Sequence, residues 1–124
     1  MLGLELLRDK GIVVLKPEGA LQADDFRRLA RMVDPYIAEA GGLRGILIDA
    51  PHFPGWDGFA ALLEHLRFVR DHHRKVGRVA AVTDSSFLKV LPRVAEHFAH
   101  PEIRVFGGAE RAAALIWLES DTRS

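Results

Sequence analysis

Short apolar runs alternate along this chain with longer segments in which apolar positions recur every three or four residues. The first spacing suits strands and the second suits amphipathic helices. Leu2 to Leu7 predicts a strand, Asp9-Lys10-Gly11 a turn, and Ile12 to Lys16 a second strand ended by Pro17 and Gly19. A glycine takes the positive φ that closes a hairpin, so the pair is expected to run antiparallel. From Ala23 to Ala40, the positions Phe26, Leu29, Ala30, Val33, Ile37 and Ala40 mark one buried helical face. Asp24 and Asp25 fall in its first turn, where the helix dipole favours anions, and Gly41-Gly42 ends it. Arg27, Arg28 and Arg31 lie off the apolar face. Pro35 removes a hydrogen bond and clashes with the carbonyl four residues back, so a kink or a split is expected there.

Ile46-Leu47-Ile48-Asp49 reads as a strand covered on both faces. The next stretch, Ala50-Pro51-His52-Phe53-Pro54-Gly55-Trp56, has too many helix breakers to be a helix. Asp57 is a good N-cap for a helix to His73, with Phe59, Leu62, Leu63, Leu66 and Val69 on one face and Phe68 nearly opposite. Arg78 to Thr83 is another buried strand. Asp84-Ser85-Ser86 then caps a helical segment whose face carries Phe87, Leu91, Val94, Ala95 and Phe98, with Pro92 breaking its start. Pro101 stops it, and Ile103 to Phe106 is the last strand. Gly107-Gly108 leads into a final helix from Glu110 to Leu118. The order β-β-α-β-α-β-α-β-α predicts an α/β domain with a mostly parallel sheet and right-handed crossovers.

At 124 residues the chain is long enough for one domain and too short for two. Residues 1–120 are expected to form it, with a frayed polar tail over 121–124. Lys+Arg 17 against Asp+Glu 17 leaves no net basic field, so nucleic acid is not an expected partner. Cys is 0, which excludes disulfides, thiolate metal sites and cysteine nucleophiles, and fits a reducing cytoplasm. The first residues have neither a basic n-region nor an apolar h-region, and no apolar run is long enough to span a bilayer. The expected location is the cytoplasm.

Several linked features resemble one family. Ile46-Leu47-Ile48-Asp49 is followed by the loop with Pro54-Gly55-Trp56 and a helix ending in His72-His73. Arg78-Val79-Ala80-Ala81-Val82-Thr83-Asp84, Val105-Phe106 and Trp117-Leu118 come next in that order. This succession, over residues 4 to 118, resembles the SpoIIAA-like family of small bacterial proteins, which are similar in fold to STAS domains. The resemblance implies a βα superhelix with a five-stranded mixed sheet and about four helices. It also implies binding of hydrophobic ligands or membranes, by likeness to lipid-exchange domains. Signalling STAS members place a phosphorylatable Ser at the start of the helix after the third strand. Here that neighbourhood is Gly55-Trp56-Asp57-Gly58-Phe59, with no Ser or Thr, which argues against a kinase-switched antagonist.

Ligands of open α/β sheets bind beyond the carboxyl ends of the strands. The loop from Pro51 and the turn at Asp84 belong at that edge. Phe53, Trp56, Phe59, Leu62, Phe87 and Leu91 are therefore candidate lining residues for an apolar ligand, with His52, Asp57 and Ser85 orienting a polar head group. The same aromatics suit a bilayer interface, and they also suit burial as core or a dimer patch. Asp49 and Asp84 end strands on that edge. They are either an acid–base pair or, more simply, a ligand of loop amides (Asp49) and a helix cap (Asp84).

Neither a metal nor any other cofactor is expected. His65 and His72 share a helical face but lie two turns apart, about 10.5 Å. His72 and His73 point to different sides, and His97 and His100 stand at a helix end. Solvated or dipole-stabilising roles are expected for all of them. The sequence has no GxSxG elbow, P-loop, GxGxxG or HExxH motif. Gly107-Gly108 offers amides for an anion, although such pairs are common at strand-to-helix turns. Arg67, Arg70, Arg74, Lys75 and Arg78 form a local basic run, read either as a solvated face or as attraction to anionic lipid. Phe68, on the polar side of its helix, points to a homodimer or to packing beneath the chain termini.

Overall fold

The computed structural model of the chain describes residues 2–50, 68, 71, 72, 75–84 and 102–120. The elements are β1 (Leu2–Leu7), β2 (Ile12–Pro17), α1 (Ala23–Ala40), β3 (Leu43–Asp49), β4 (Val76–Val82), β5 (Glu102–Phe106) and α2 (Arg111–Glu119). The five strands form one mixed sheet in chain order, β1-β2-β3-β4-β5. β1 pairs antiparallel with β2, and every later pairing is parallel. The fold is α/β, as the alternation of elements predicts.

The hairpin closes where Leu7 accepts hydrogen bonds from the amides of Lys10 (3.0 Å) and Gly11 (2.9 Å). Gly11 has φ 69, the left-handed region that favours glycine. Its carbonyl accepts from the Arg44 amide at 2.8 Å, so the hairpin turn also pins the start of β3. That strand starts at Leu43 and not at Ile46 because Arg44 and Gly45 interrupt the apolar run without interrupting the pairing.

The sheet is covered on both faces, which is why Ile12, Val13, Val14 and Leu15 are all buried. Val13 and Leu15 point to α1 and join Phe26, Leu29, Val33, Ile37 and Ile46. Ile12 and Val14 point to the other side and join Leu47, Ala80, Val82, Phe106, Ala114 and Leu118.

α1 is one continuous helix through Pro35, so the expected kink does not split it. Pro35 and Arg31 are both exposed, and water can serve the Arg31 carbonyl that Pro35 leaves without a donor. Val33 and Ile37, buried on either side, hold the helix to the sheet. Ala40, expected on the apolar face, is exposed at the helix end. Asp25 does more than face the dipole. It is buried at 3% exposure and accepts from the amides of Gln22 (2.9 Å) and Leu2 (3.2 Å) and from Arg28 Nη1 (3.0 Å). Arg28 also donates to the Leu2 carbonyl at 3.0 Å, so it belongs to this buried tie and not to a solvated face.

α2 approaches the sheet closely over small residues. A Cβ on Gly45 would lie 2.7 Å from Leu118 Cδ2. No basic residue occupies the last turn of α2, yet its terminal carbonyls are served from the strands. Arg78 Nη1 donates to the Trp117 carbonyl at 2.7 Å and Arg44 Nη1 to the Glu119 carbonyl at 3.2 Å. Lys10 pairs with the Glu119 carboxylate at 2.6 Å.

Two complete helices stand among the described residues, where about four are expected for the whole chain. The expected helices over 57–73 and 85–98 fall outside the described residues, apart from Phe68, Asp71 and His72, which are helical. Among the described residues no helix is long and apolar enough to cross a membrane.

Candidate functional site

β3, β4 and β5 end side by side. Asp49 pairs with Val82 and Val82 with Phe106 across the sheet. Two further bonds carry the lacing past the strand ends, from the Ala50 amide to the Val82 carbonyl and from the Thr83 amide to the Phe106 carbonyl, each 2.9 Å. The chain therefore leaves β3 and β4 at neighbouring points, after Ala50 and after Asp84. Just beyond β5 it turns at Gly107-Gly108 into α2. This is the carboxyl edge of a parallel sheet, where open α/β folds bind ligands.

Polar side chains on this edge are paired among themselves. Asp49 is largely shielded, with 16% of its side chain exposed, and accepts from Arg111 Nε at 3.2 Å. Asp84 Oδ1 accepts from the Gly108 amide at 3.0 Å, and Glu110 Oε1 accepts from the Gly107 amide at 2.7 Å. The amides of Gly107 and Gly108 are thus occupied by carboxylates of the chain itself. That arrangement is reasonable at a helix start, where free N–H groups favour negative charge. Asp84 ties β4 to the turn before α2. Asp49 is tied to Arg111. Among the described residues no three His, Asp or Glu side chains are grouped to hold a metal ion.

The sheet order, the parallel register and this edge bear directly on what the chain is similar to. The SpoIIAA-like family model matches residues 12–119, most of the chain. The chain belongs to the SpoIIAA-like family. A crystal structure of an uncharacterized protein from the DUF3478 family with a SpoIIAA-like fold, from Shewanella loihica PV-4, superposes with a TM-score of 0.71 at 25% identity. The match covers 95% of this chain and 92% of that one. No curated protein matches the chain.

For this SpoIIAA-like chain the nine candidate ligand residues, His52, Phe53, Trp56, Asp57, Phe59, Leu62, Ser85, Phe87 and Leu91, lie outside the described residues. So do Arg67, Arg70 and Arg74 of the basic run, and His65, His73, His97 and His100. Arg78 does not belong to a solvated basic face. Its guanidinium sits 4.8 Å from the Trp117 ring centre, and its Nε donates to Glu102 Oε2 at 3.3 Å.

His72 corrects another expectation. It is buried at 7% exposure, with ring nitrogens 2.8 Å from the Phe68 carbonyl and 2.6 Å from Asp34 Oδ1. Phe68 stacks on that imidazole at 4.0 Å and packs against the α1 cluster. The ring that suggested a homodimer is engaged inside its own chain.

Arg111 and Glu110 escaped the sequence reading. The partner of Arg111, Asp49, is 62 residues away and leaves no local pattern, whereas Glu110 reaches back three residues to the Gly107 amide, a spacing that was present in the sequence.

Proposed function

We propose that the protein is a non-enzymatic binding module for an apolar or lipid-like ligand, working in the cytoplasm and able to rest on a membrane surface through its aromatic loop. The supporting observation is the shared exit point: Ala50 and Asp84 lie at adjacent strand ends on the carboxyl edge. The stretches that begin there carry Phe53, Trp56 and Phe59 on one side and Ser85, Phe87 and Leu91 on the other. Asp49 and Asp84, the residues an enzymatic reading would need, already serve Arg111 and Gly108. In this reading binding draws on buried apolar area at about 25 cal/mol per Å², and His52, Asp57 and Ser85 orient the polar end.

Native mass spectrometry of the protein after exposure to a lipid extract tests this. A reproducible added mass, lost in Trp56→Ala, supports the pocket. A clean apo mass under the same conditions sinks it.

The second reading is a STAS-type protein-interaction domain that needs no phosphorylatable Ser. It is favoured by Ile116, which is 67% exposed on the outer side of α2 beside the exposed Ala112 and Ala113. It predicts that Ile116→Glu abolishes partner capture and leaves ligand mass unchanged.

A further inference from the structure

β1 is an edge strand, and its outer side is only partly closed. In an antiparallel pair, alternate residues turn both backbone groups towards the partner strand, and the residues between turn both away. Leu2 sits opposite Pro17, which has no N–H to give. Its amide donates to Asp25 Oδ1 at 3.2 Å, and its carbonyl accepts from Arg28 Nη2 at 3.0 Å. Leu2 therefore turns away from β2, and by alternation so do Leu4 and Leu6. Among the described residues, no strand or side chain takes the outward N–H and C=O groups of Leu4 and Leu6. α1 closes the edge at Leu2 and leaves the next two steps open.

The hairpin face on the α2 side carries Gly3 and Glu5 from β1, opposite Lys16 and Val14 of β2. With Leu4, these residues line an open hollow of about 220 Å³. Gly3 contributes no side chain to fill it, and Glu5 and Lys16 are exposed. On the other face, Leu4 and Leu6 are half-buried against the α1 cluster.

We propose that this open edge takes an extended peptide segment of another protein, added antiparallel, with a basic residue opposite Glu5 and an aromatic residue opposite Gly3. The N–H and C=O groups of Leu4 and Leu6 hold its backbone. The residues opposite Glu5 and Gly3 form the close pairs of the new ladder, where side chains meet directly. The basic side chain meets the Glu5 carboxylate. The aromatic ring covers the gap left by Gly3 and faces Lys16.

Charge and register exclude a second copy of β1 as the occupant. Pairing Leu4 with Leu6 of the copy sets Glu5 against Glu5, and like charges directly opposite destabilise a sheet. A shift one way brings Leu6 to Leu2, whose backbone groups are taken. A shift the other way brings Leu4 to Arg8, whose carbonyl already accepts from the Tyr36 hydroxyl at 3.3 Å. The inference rests on β1 and β2 and on neither reading given above.

The test uses the full chain and three capped peptides. The first, Thr-Val-Arg-Val-Phe-Thr, sets its Arg opposite Glu5 and its Phe opposite Gly3. The second has Glu in place of that Arg. The third is the first with both Val nitrogens methylated, which removes the N–H groups that would face Leu4 and Leu6. Amide hydrogen exchange is followed by NMR at millimolar peptide. The first peptide is expected to slow exchange at Leu4 and Leu6 ahead of every other amide in β1. The second should bind about tenfold more weakly, and the third should slow nothing. Glu5→Lys, at an exposed position, should keep the fold and reverse the preference between the first two peptides.

Unchanged exchange at Leu4 and Leu6 with the first peptide overturns the proposal. So does a methylated peptide that binds as well as its parent, or an unaltered preference in Glu5→Lys. Slow exchange at these two amides without peptide, lost on dilution, assigns the edge to a second copy and overturns it as well.

Discussion

The two faces of the sheet are built on different plans. Over one face, α1 lays down large side chains, Phe26, Leu29, Val33 and Ile37, and turns Asp24, Arg27, Arg31, Asp34 and Glu39 outward. Over the other, the shorter α2 seats Leu118 directly over Gly45, in a cluster that mixes Ala80 and Ala114 with Ile12, Leu47 and Phe106. Its outer side is Ala112, Ala113 and Ile116. α1 stands on its own amphipathic pattern and on a buried carboxylate near its start. α2 depends on closeness to the sheet and on cations reaching its end from β3 and β4. One face is robust because its helix carries its own signals; the other is held by contacts that exist only once the strands have paired.

The strongest challenge to this contrast is a pair of truncations, Leu29→Ala under α1 and Leu118→Ala under α2. Each should cost about 2–5 kcal/mol in urea denaturation, since both side chains are almost wholly buried. Leu118→Ala should fall at the upper end, because Gly45 directly beneath it has no side chain to fill the void. Equal losses would erase the contrast.

Next comes Gly45→Ala. Its Cβ would press on Leu118 Cδ2 at 2.7 Å, so a loss of about 1–3 kcal/mol is expected. In a Leu118→Ala background that loss should shrink, because the nearest clashing atom is gone and only the Arg78 carbonyl at 3.3 Å and the residue-118 Cβ at 3.4 Å remain close. An undiminished loss in the double variant would place the clash elsewhere.

Asp25→Asn probes the other face. An amide cannot accept from the Leu2 amide, the Gln22 amide and Arg28 together, and a loss of about 1–3 kcal/mol is expected. Hydrogen exchange should show faster opening of β1 than of β3. Uniform acceleration would mean that Asp25 does not tie β1 in particular. The smallest effect belongs to Ile116→Ser, within about 0.5 kcal/mol for an exposed site. A larger loss would mean that the outer side of α2 supports the fold.

Much of the scaffold is readable residue by residue. The hairpin follows from alternating apolar runs around Gly11, and α1 from the three-and-four spacing of Phe26 to Ile37. The misreadings are equally instructive. β3 begins ahead of its apolar run because register with β4 carries pairing through Arg44 and Gly45. Pro35 suggests a break, and burial of Val33 and Ile37 on both sides prevents one. Arg28, Arg78 and His72 all look solvated by spacing alone. Each is satisfied instead by a group that folding brings up from elsewhere: the Leu2 carbonyl, the Trp117 ring and carbonyl, and Asp34. At the candidate site, the carboxyl-edge position of Asp49 and Asp84 was legible. Their partners Arg111 and Gly108 were not.

Local chemistry in the chain settles which stretches become strand or helix, the antiparallel start and the parallel remainder. Those depend on side-chain period and turn residues, which act over a few positions. Folding alone settles which charged groups are shielded and by what. A carboxylate or guanidinium takes its partner from whichever group lies within about 3 Å after the sheet closes. For Asp49 that group is 62 residues away, and for His72 it is 38. No periodicity encodes such distances, because pairing across a fold depends on the joint placement of two elements and not on the sequence of either.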